Sequence, residues 1–119
     1  VSAGETLPAP VYHEWQEKTG KPMLDGIGAT EMLHIFISNR FDDHRAACTG
    51  KPVTGYEARV IDAEGNEVPR GEVGRLAVRG PIGCRYLGDK RQADYGTSPA
   101  TVSLWTKTAI CISPPATTT

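Results

Sequence analysis

The sequence has no long hydrophobic run and no excess of charge of either sign. Its 119 residues carry 13 Lys and Arg against 14 Asp and Glu, a formal net charge of −1. Nucleic acids and anionic membrane surfaces are bound through basic patches, so this balance argues against both as main partners. No apolar stretch approaches the roughly 20 residues of a membrane-spanning helix. We therefore expect a small domain, or a piece of a larger one, that binds neither a nucleic acid nor a membrane.

Cysteine and aromatic residues are also few. Cys48, Cys84 and Cys111 are an odd number at wide spacing, which fits neither a disulfide framework nor a CxxC zinc site. The first residues show no basic region followed by an apolar stretch, as a secretory signal would. Together these observations predict a reduced, cytoplasmic protein. Aromatic residues make up 7% of the chain, so we expect a modest core.

The first part of the chain predicts an α/β section. Residues 8–18 predict a helix, because Pro8 stands in its first turn, Val11 and Trp15 share one face, and Gly20 follows as a left-handed cap. The other predicted elements are a short strand at 23–24, a glycine turn at 26–28, a helical turn at 30–34, a buried strand at 35–37 and a polar loop at 39–50.

From Gly50 the pattern changes to antiparallel β structure. Alternating apolar positions and turn residues predict strands at 56–62, 67–69 and 75–79, and a last helical stretch is predicted at 89–94. Beyond Tyr95 the only charged residue is Lys107, and Thr, Ser and Pro are frequent, which predicts a flexible tail. The overall expectation is an α+β fold, with divisions at 1–49, 50–95 and 96–119.

The stretch Gly-Ile-Gly-Ala-Thr-Glu at residues 26–31 has the composition of a phosphate and metal site. Glycines let the backbone approach a ligand, and amides at the start of a helical turn can face an anion. The Thr30 hydroxyl can donate to a phosphate oxygen, and Glu31 supplies the hard oxygen that Mg²⁺ prefers. The alternative is a glycine-rich turn in which Thr30 only caps a helix. Glu31 stands where a dinucleotide-binding GxGxxG motif has its third glycine, so that motif is excluded.

Residues 28–31, Gly-Ala-Thr-Glu, resemble the GxTE core of the adenylate-forming enzymes, which include acyl- and aryl-CoA synthetases, luciferases and peptide-synthetase adenylation domains. Other segments resemble this family in the same order, up to about Tyr95. They are Ser-Ala-Gly-Glu at 2–5, Gly-Lys-Pro at 50–52, Gly-Asn-Glu-Val-Pro at 65–69, Gly-Glu-Val-Gly-Arg-Leu-Ala-Val-Arg-Gly-Pro at 71–81 and Tyr-Leu at 86–87. Residues 26–36 look closest to benzoate- and 2-aminobenzoate-CoA ligases.

The resemblance implies a piece of the large N-terminal domain of an ATP-dependent aryl-acid CoA ligase. In such enzymes a carboxylate attacks the α-phosphorus of ATP, giving an acyl-adenylate and pyrophosphate, and the CoA thiol then displaces AMP. By match to the motif, Thr30 contacts the phosphate and Glu31 holds Mg²⁺. The residues implied to bind the nucleotide are Ser2, Ala3, Gly4, Glu5, Gly26, Ile27, Gly28 and Thr30. Those implied to face the acyl pocket are Gly28, Met32, Leu33 and His34, and for His34 a core position is an equal alternative.

The chain departs from the family after Tyr95. There the family has a Thr-Gly-Asp whose Asp holds the ribose, but residues 96–101 read Gly-Thr-Ser-Pro-Ala-Thr. When the third base of each codon is combined with the first two of the next, residues 95–101 allow Trp-Asn-Val-Thr-Gly-Asp, and residues 105–119 allow Asp-Glu-Asp-Gly-Tyr-Leu-His-Phe-Ala-Ala-Arg-Asn-Asp-Asp. Trp has a single codon, so the first Asp of the second segment is forced. We therefore predict a frameshifted tail, with a genuine low-complexity tail as the alternative.

The pyrophosphate-binding loop and the C-terminal domain of the family are also missing, the loop being expected upstream of Val1. Catalysis needs these groups held together, so we expect no ligase turnover and weak or no ATP binding from this chain alone. Exposed strand edges and apolar faces predict self-association. The alternative function is a non-catalytic small binding or remnant domain.

Overall fold

The computed structural model describes residues 1–69, 71–81, 87 and 100–105. These residues form two compact units, one built from 1–28 and 35–53 and the other from 29–34 and the described residues after 53. Their regular structure is one α-helix, one 3₁₀ helix and two three-stranded antiparallel sheets. This is the α+β arrangement that the sequence predicted. In the described part of the chain, no helix is long and apolar enough to cross a membrane.

The helix α1 spans Ala9–Thr19 and agrees with the prediction within a residue. It ends at Gly20, which takes the left-handed conformation with φ of 67° because a residue without Cβ adopts it at little cost. The pair that predicted the helix does not form its buried side. Tyr12 is buried, whereas Val11 and Trp15 are 46% and 44% exposed.

The first unit contains the strands β1 (Gly26–Gly28), β2 (Ile35–Ser38) and β3 (Lys51–Pro52), with β2 in the centre. The strand predicted at 23–24 and the turn predicted at 26–28 are wrong, because 26–28 is itself the strand. Its glycines have low strand propensity, and pairing with β2 overrides that preference. A register shift between Ile27 and Gly28 marks a β-bulge.

The core of the first unit is centred on β2. Phe36 and Ile37 are both fully buried although they are consecutive, which confirms the prediction that this apolar run is covered on both faces. Burial of each side chain stabilises the fold by roughly 1.5–3 kcal/mol. The other buried apolar residues of this unit are Leu7, Tyr12 and Cys48.

The second unit contains the strands β4 (Glu57–Ile61), β5 (Arg75–Gly80) and β6 (Ala100–Trp105), with β5 in the centre. Leu76 and Val78 are each 1% exposed, which confirms the predicted alternation along this strand. The return strand predicted at 67–69 is reduced to one backbone bridge to β4 and one further hydrogen bond.

The prediction of a flexible tail is wrong for residues 100–105. Strand β6 pairs with β5 along its whole length, from Arg75 opposite Trp105 to Gly80 opposite Ala100. The reason is that β5, paired with β4 on one side, offers unsatisfied backbone groups on the other, and a β-prone sequence can pair with them. The helical stretch predicted at 89–94 lies outside the described residues.

Candidate functional site

Two of the predicted nucleotide-binding segments lie side by side in the first unit. Ser2 forms a parallel bridge with Asp25, the residue that precedes β1. The Ser2 amide donates to the Leu24 carbonyl at 2.8 Å, and the Gly26 amide donates to the Ser2 carbonyl at 3.0 Å. Backbone pairing therefore holds Ser2 against Gly26, although 23 residues separate them in the sequence. Ala3, Gly4 and Glu5 follow this pairing and are exposed.

Asp25 has an unusual environment that sequence reasoning missed. The residue is 4% exposed, and its Oδ2 accepts the Leu7 amide proton at 3.3 Å. Its Oδ1 is buried and has no hydrogen-bond partner among the described residues. A buried carboxylate oxygen without a hydrogen-bond partner destabilises the fold, so a donor that reached Asp25 Oδ1 would bind favourably there. In the sequence, an Asp before a glycine suggests a turn at the surface. In the structure, this Asp is buried and its backbone pairs with Ser2.

The predicted catalytic pair, Thr30 and Glu31, follows β1 directly in the chain and belongs to the second unit. Both residues lie in the 3₁₀ helix Thr30–Met32, which confirms the predicted helical turn. Thr30 is exposed and Glu31 is half-buried. The amides of Met32 and Leu33 donate to the carbonyls of Ala29 and Thr30, each at 3.1 Å. These two amides are therefore already engaged within the turn, and contact of Thr30 and Glu31 with phosphate and Mg²⁺ stays a prediction.

The residues after this pair have different surroundings. Leu33 is 57% exposed and has a left-handed backbone with φ of 65°, which costs a non-glycine residue roughly 1–2 kcal/mol. His34 is exposed, so the alternative of a core histidine is wrong. Met32 is fully buried and packs, together with Tyr56, against Gly80. Leu33 and His34 therefore present side chains at the surface beside the motif, and Met32 does not.

The segment 39–50 contains acidic and histidine residues that are engaged elsewhere. Asp43 accepts a hydrogen bond from Lys51 at 2.6 Å, and this cation lowers the pKa of Asp43 below its usual value. His44 Nδ1 is hydrogen-bonded to the buried Tyr12 hydroxyl. Among the described residues, no group of three His, Cys, Asp or Glu side chains could hold a metal ion.

The comparison with known families agrees with the motif at Thr30 and Glu31. The sequence profile described as AMP-binding enzyme matches residues 1–86, which is well over half of the chain. The chain belongs to the AMP-binding enzyme family. This confirms the resemblance to adenylate-forming enzymes.

Individual members of the family show the same relationship. The chain is 52% identical over 82 residues to the benzoate–CoA ligase of Thauera aromatica, covering 68% of this chain and 16% of that protein. It is 46% identical over 81 residues to the anthranilate–CoA ligase of Pseudomonas aeruginosa, covering 67% and 16%. Among solved structures, the anthranilate CoA ligase AuaEII in complex with anthranoyl-AMP matches with a TM-score of 0.72 and 42% identity, covering 84% of this chain and 20% of that one. The chain thus spans about a sixth to a fifth of the proteins it matches.

Proposed function

We propose that this chain is part of the nucleotide and aryl-acid site of an ATP-dependent aryl-acid CoA ligase of the benzoate or 2-aminobenzoate type. The observation that carries the proposal is the pairing of Ser2 with Gly26, which joins the two segments implied to enclose the nucleotide. From Gly28 the same chain runs on to Thr30 and Glu31. The similarity to benzoate– and anthranilate–CoA ligases supports the choice of acid.

In this proposal each group has a distinct task. Ser2, Ala3, Gly4 and Glu5 line the adenine, partly through their backbone, and Gly26, Ile27 and Gly28 separate the nucleotide from the acyl group. The exposed Thr30 hydroxyl donates to a phosphate oxygen. Glu31 fits a magnesium ligand because Mg²⁺ prefers carboxylate oxygens and usually binds through one or two of them together with phosphates. When bound, the ion would neutralise phosphate charge.

The acyl side of the site is proposed to involve Leu33 and His34, with Gly28 as the wall toward the nucleotide. Both side chains are exposed next to the motif, which suits residues that contact a ligand. Met32 supports the same turn from the core, where it packs against Gly80. Asp25 adds a buried acceptor beside Ser2, and we propose that a ligand donor or a water satisfies its Oδ1 when the site is filled.

The isolated chain is proposed to be an inactive, cytoplasmic fragment that tends to self-associate. It spans about a sixth of the benzoate– and anthranilate–CoA ligases that it matches, and we propose that the remaining part of such a ligase is needed for turnover. The half-exposed Val11 and Trp15 on α1 supply apolar surface for association.

Mutation of Glu31 tests the nucleotide site. We expect Mg·ATP to shift the backbone amide resonances of residues 2–5 and 26–28 only at millimolar nucleotide, because few of the groups that bind ATP are present. Replacing Glu31 by Ala should abolish the difference between titrations with and without Mg²⁺. Replacing Glu64, an exposed carboxylate in a turn of the second unit, is the matched control and should preserve it.

Two results would contradict this proposal. If the Glu31→Ala variant keeps the full magnesium dependence, a non-catalytic binding domain is favoured. If Mg·ATP shifts none of these amides in the unaltered chain, this chain has no nucleotide site.

The reading frame after Tyr95 is tested separately, by sequencing the encoding DNA with its flanking regions. We expect the alternative frame to encode Thr-Gly-Asp after Trp-Asn-Val, then an Asp-Gly-Tyr at the spacing given above. If that frame does not encode Thr-Gly-Asp, the tail is a genuine low-complexity segment.

A further inference from the structure

Asn39 is a buried polar residue whose side chain is fully used in hydrogen bonds. It is 5% exposed, and its Nδ2 donates to the Asp25 carbonyl at 3.1 Å and to the Cys48 carbonyl at 2.5 Å. Its Oδ1 accepts the Arg45 amide proton at 3.2 Å. Both amide protons and the amide oxygen therefore have partners, which is the usual condition for burying such a group.

The Asp25 carbonyl accepts two hydrogen bonds from Asn39. The Asn39 backbone amide reaches it at 3.0 Å, in addition to the side-chain amide. These bonds lie just beyond the last pair of the ladder between β1 and β2, Gly26 opposite Ser38. On its other side Asp25 is bridged to Ser2. The residue that precedes β1 is thus held from one side by Asn39 and from the other by the segment implied to line the adenine.

We propose that Asn39 is a positioning residue for the nucleotide site. Its side-chain amide fixes the Asp25 carbonyl and thereby the start of β1 against Ser2. This inference rests on the proposed function for its purpose, but the placement it describes can be measured without any nucleotide. Loss of the side-chain donors would remove one of the two hydrogen bonds to the Asp25 carbonyl and the bond to the Cys48 carbonyl, so we expect this point to open before the rest of the unit.

The simpler alternative is that Asn39 only fills space between these segments. The hydrogen-bonding role and the space-filling role predict opposite orders of damage for two substitutions, Asn39→Asp and Asn39→Ala. Asn39→Asp keeps the shape but replaces the donor nitrogen by an oxygen facing two carbonyl oxygens, so it is the more damaging change if donation matters. Asn39→Ala leaves a void, so it is the more damaging change if only volume matters.

Amide hydrogen exchange measures the placement directly. The Gly26 amide, which donates to the Ser2 carbonyl, reports on this placement. We expect Asn39→Asp to raise the exchange rate of this amide by about tenfold or more beyond the increase caused by global unfolding. This increase should be larger than the one caused by Asn39→Ala. Cys48→Ala is the matched control, because it removes a buried side chain of the same segment and keeps the carbonyl that Asn39 contacts. Its effect at Gly26 should follow global stability alone.

A measurement on the unaltered chain covers the case in which the Asn39→Asp variant does not fold. The Nδ2 protons of Asn39 should exchange slowly, as protons donated to buried carbonyls do. Those of Asn66 should exchange fast, because its side chain is exposed and its Nδ2 donates to the Asp62 carboxylate in an exposed hydrogen bond, at 3.3 Å. Rapid exchange at Asn39, or a larger effect from Asn39→Ala than from Asn39→Asp, overturns the proposal. If both exchange measurements give the expected results but Mg·ATP shifts no amide resonance of residues 2–5 and 26–28 in the unaltered chain, the proposed function is overturned and the placement by Asn39 stands.

Discussion

The chain supplied with benzoate or 2-aminobenzoate, ATP, Mg²⁺ and CoA is expected to release no pyrophosphate above background. Adenylation depends on holding a carboxylate, an α-phosphorus and a leaving pyrophosphate in one geometry while charge is stabilised. Such positioning is worth effective molarities of about 10⁵–10⁸ M. The present chain matches 16% of the benzoate–CoA ligase of Thauera aromatica, and we do not expect its proposed site residues, 2–5, 26–28 and 30–31, to supply this positioning alone.

That ligase is the control for the assay, since it contains the matching segment together with the rest of its own chain. A variant of the present chain in which the alternative frame is read after Tyr95 is the second control. We expect it to bind nucleotide more tightly, because it would contain the Asp implied to hold the ribose, and still not to turn over. Pyrophosphate release above background by the chain of 119 residues would refute the proposal that it is inactive.

Elements set by local signals could be predicted from the sequence, and elements set by distant partners could not. The cap at Gly20 and the alternation around Leu76 and Val78 act within a few residues, and the structure confirms both. Pro8 was predicted in the first turn of α1 and instead precedes the helix as its extended N-cap residue. Strand β1 was misplaced because glycines do not favour strands, and only its pairing with β2 decides the matter. Strand β6 was missed for the same reason, because its partner strand is distant in the sequence. Even the nearest pair, Gly80 opposite Ala100, lies 20 positions apart.

The site shows the same division. Thr30 and Glu31 could be proposed from the sequence because the residues that resemble a phosphate and metal motif are consecutive. Asp25 and Asn39 could not, since an isolated Asp or Asn in a polar stretch predicts a turn. Both are buried with partners distant in the sequence, the Leu7 amide for Asp25 and the Cys48 carbonyl for Asn39, and no local pattern shows those partners.

Replacing Gly50 by Ala is expected to destabilise the first unit strongly, and more than the same change at Gly20. Gly50 has φ of 94°, and a Cβ there would overlap the Ser38 carbonyl group and the Asn39 amide nitrogen, all of them backbone atoms. The left-handed conformation costs roughly 1–2 kcal/mol and the overlap about 1–3 kcal/mol more. Since small domains are stable by only roughly 5–15 kcal/mol, chemical denaturation should show a large loss, with the pairing of β2 and β3 disrupted.

Gly20 provides the matched control for this loss. It also has a positive φ, 67°, but a Cβ there would meet nothing within 4 Å, so the conformational cost acts alone. Gly20→Ala should therefore cost roughly 1–2 kcal/mol, and the difference between the two variants measures the steric part. Equal losses of unfolding free energy in the two variants would mean that the backbone of Ser38 and Asn39 moves aside at little energetic cost. In that case the same segment could not hold Asp25 in place, and the positioning role of Asn39 would lose its physical basis.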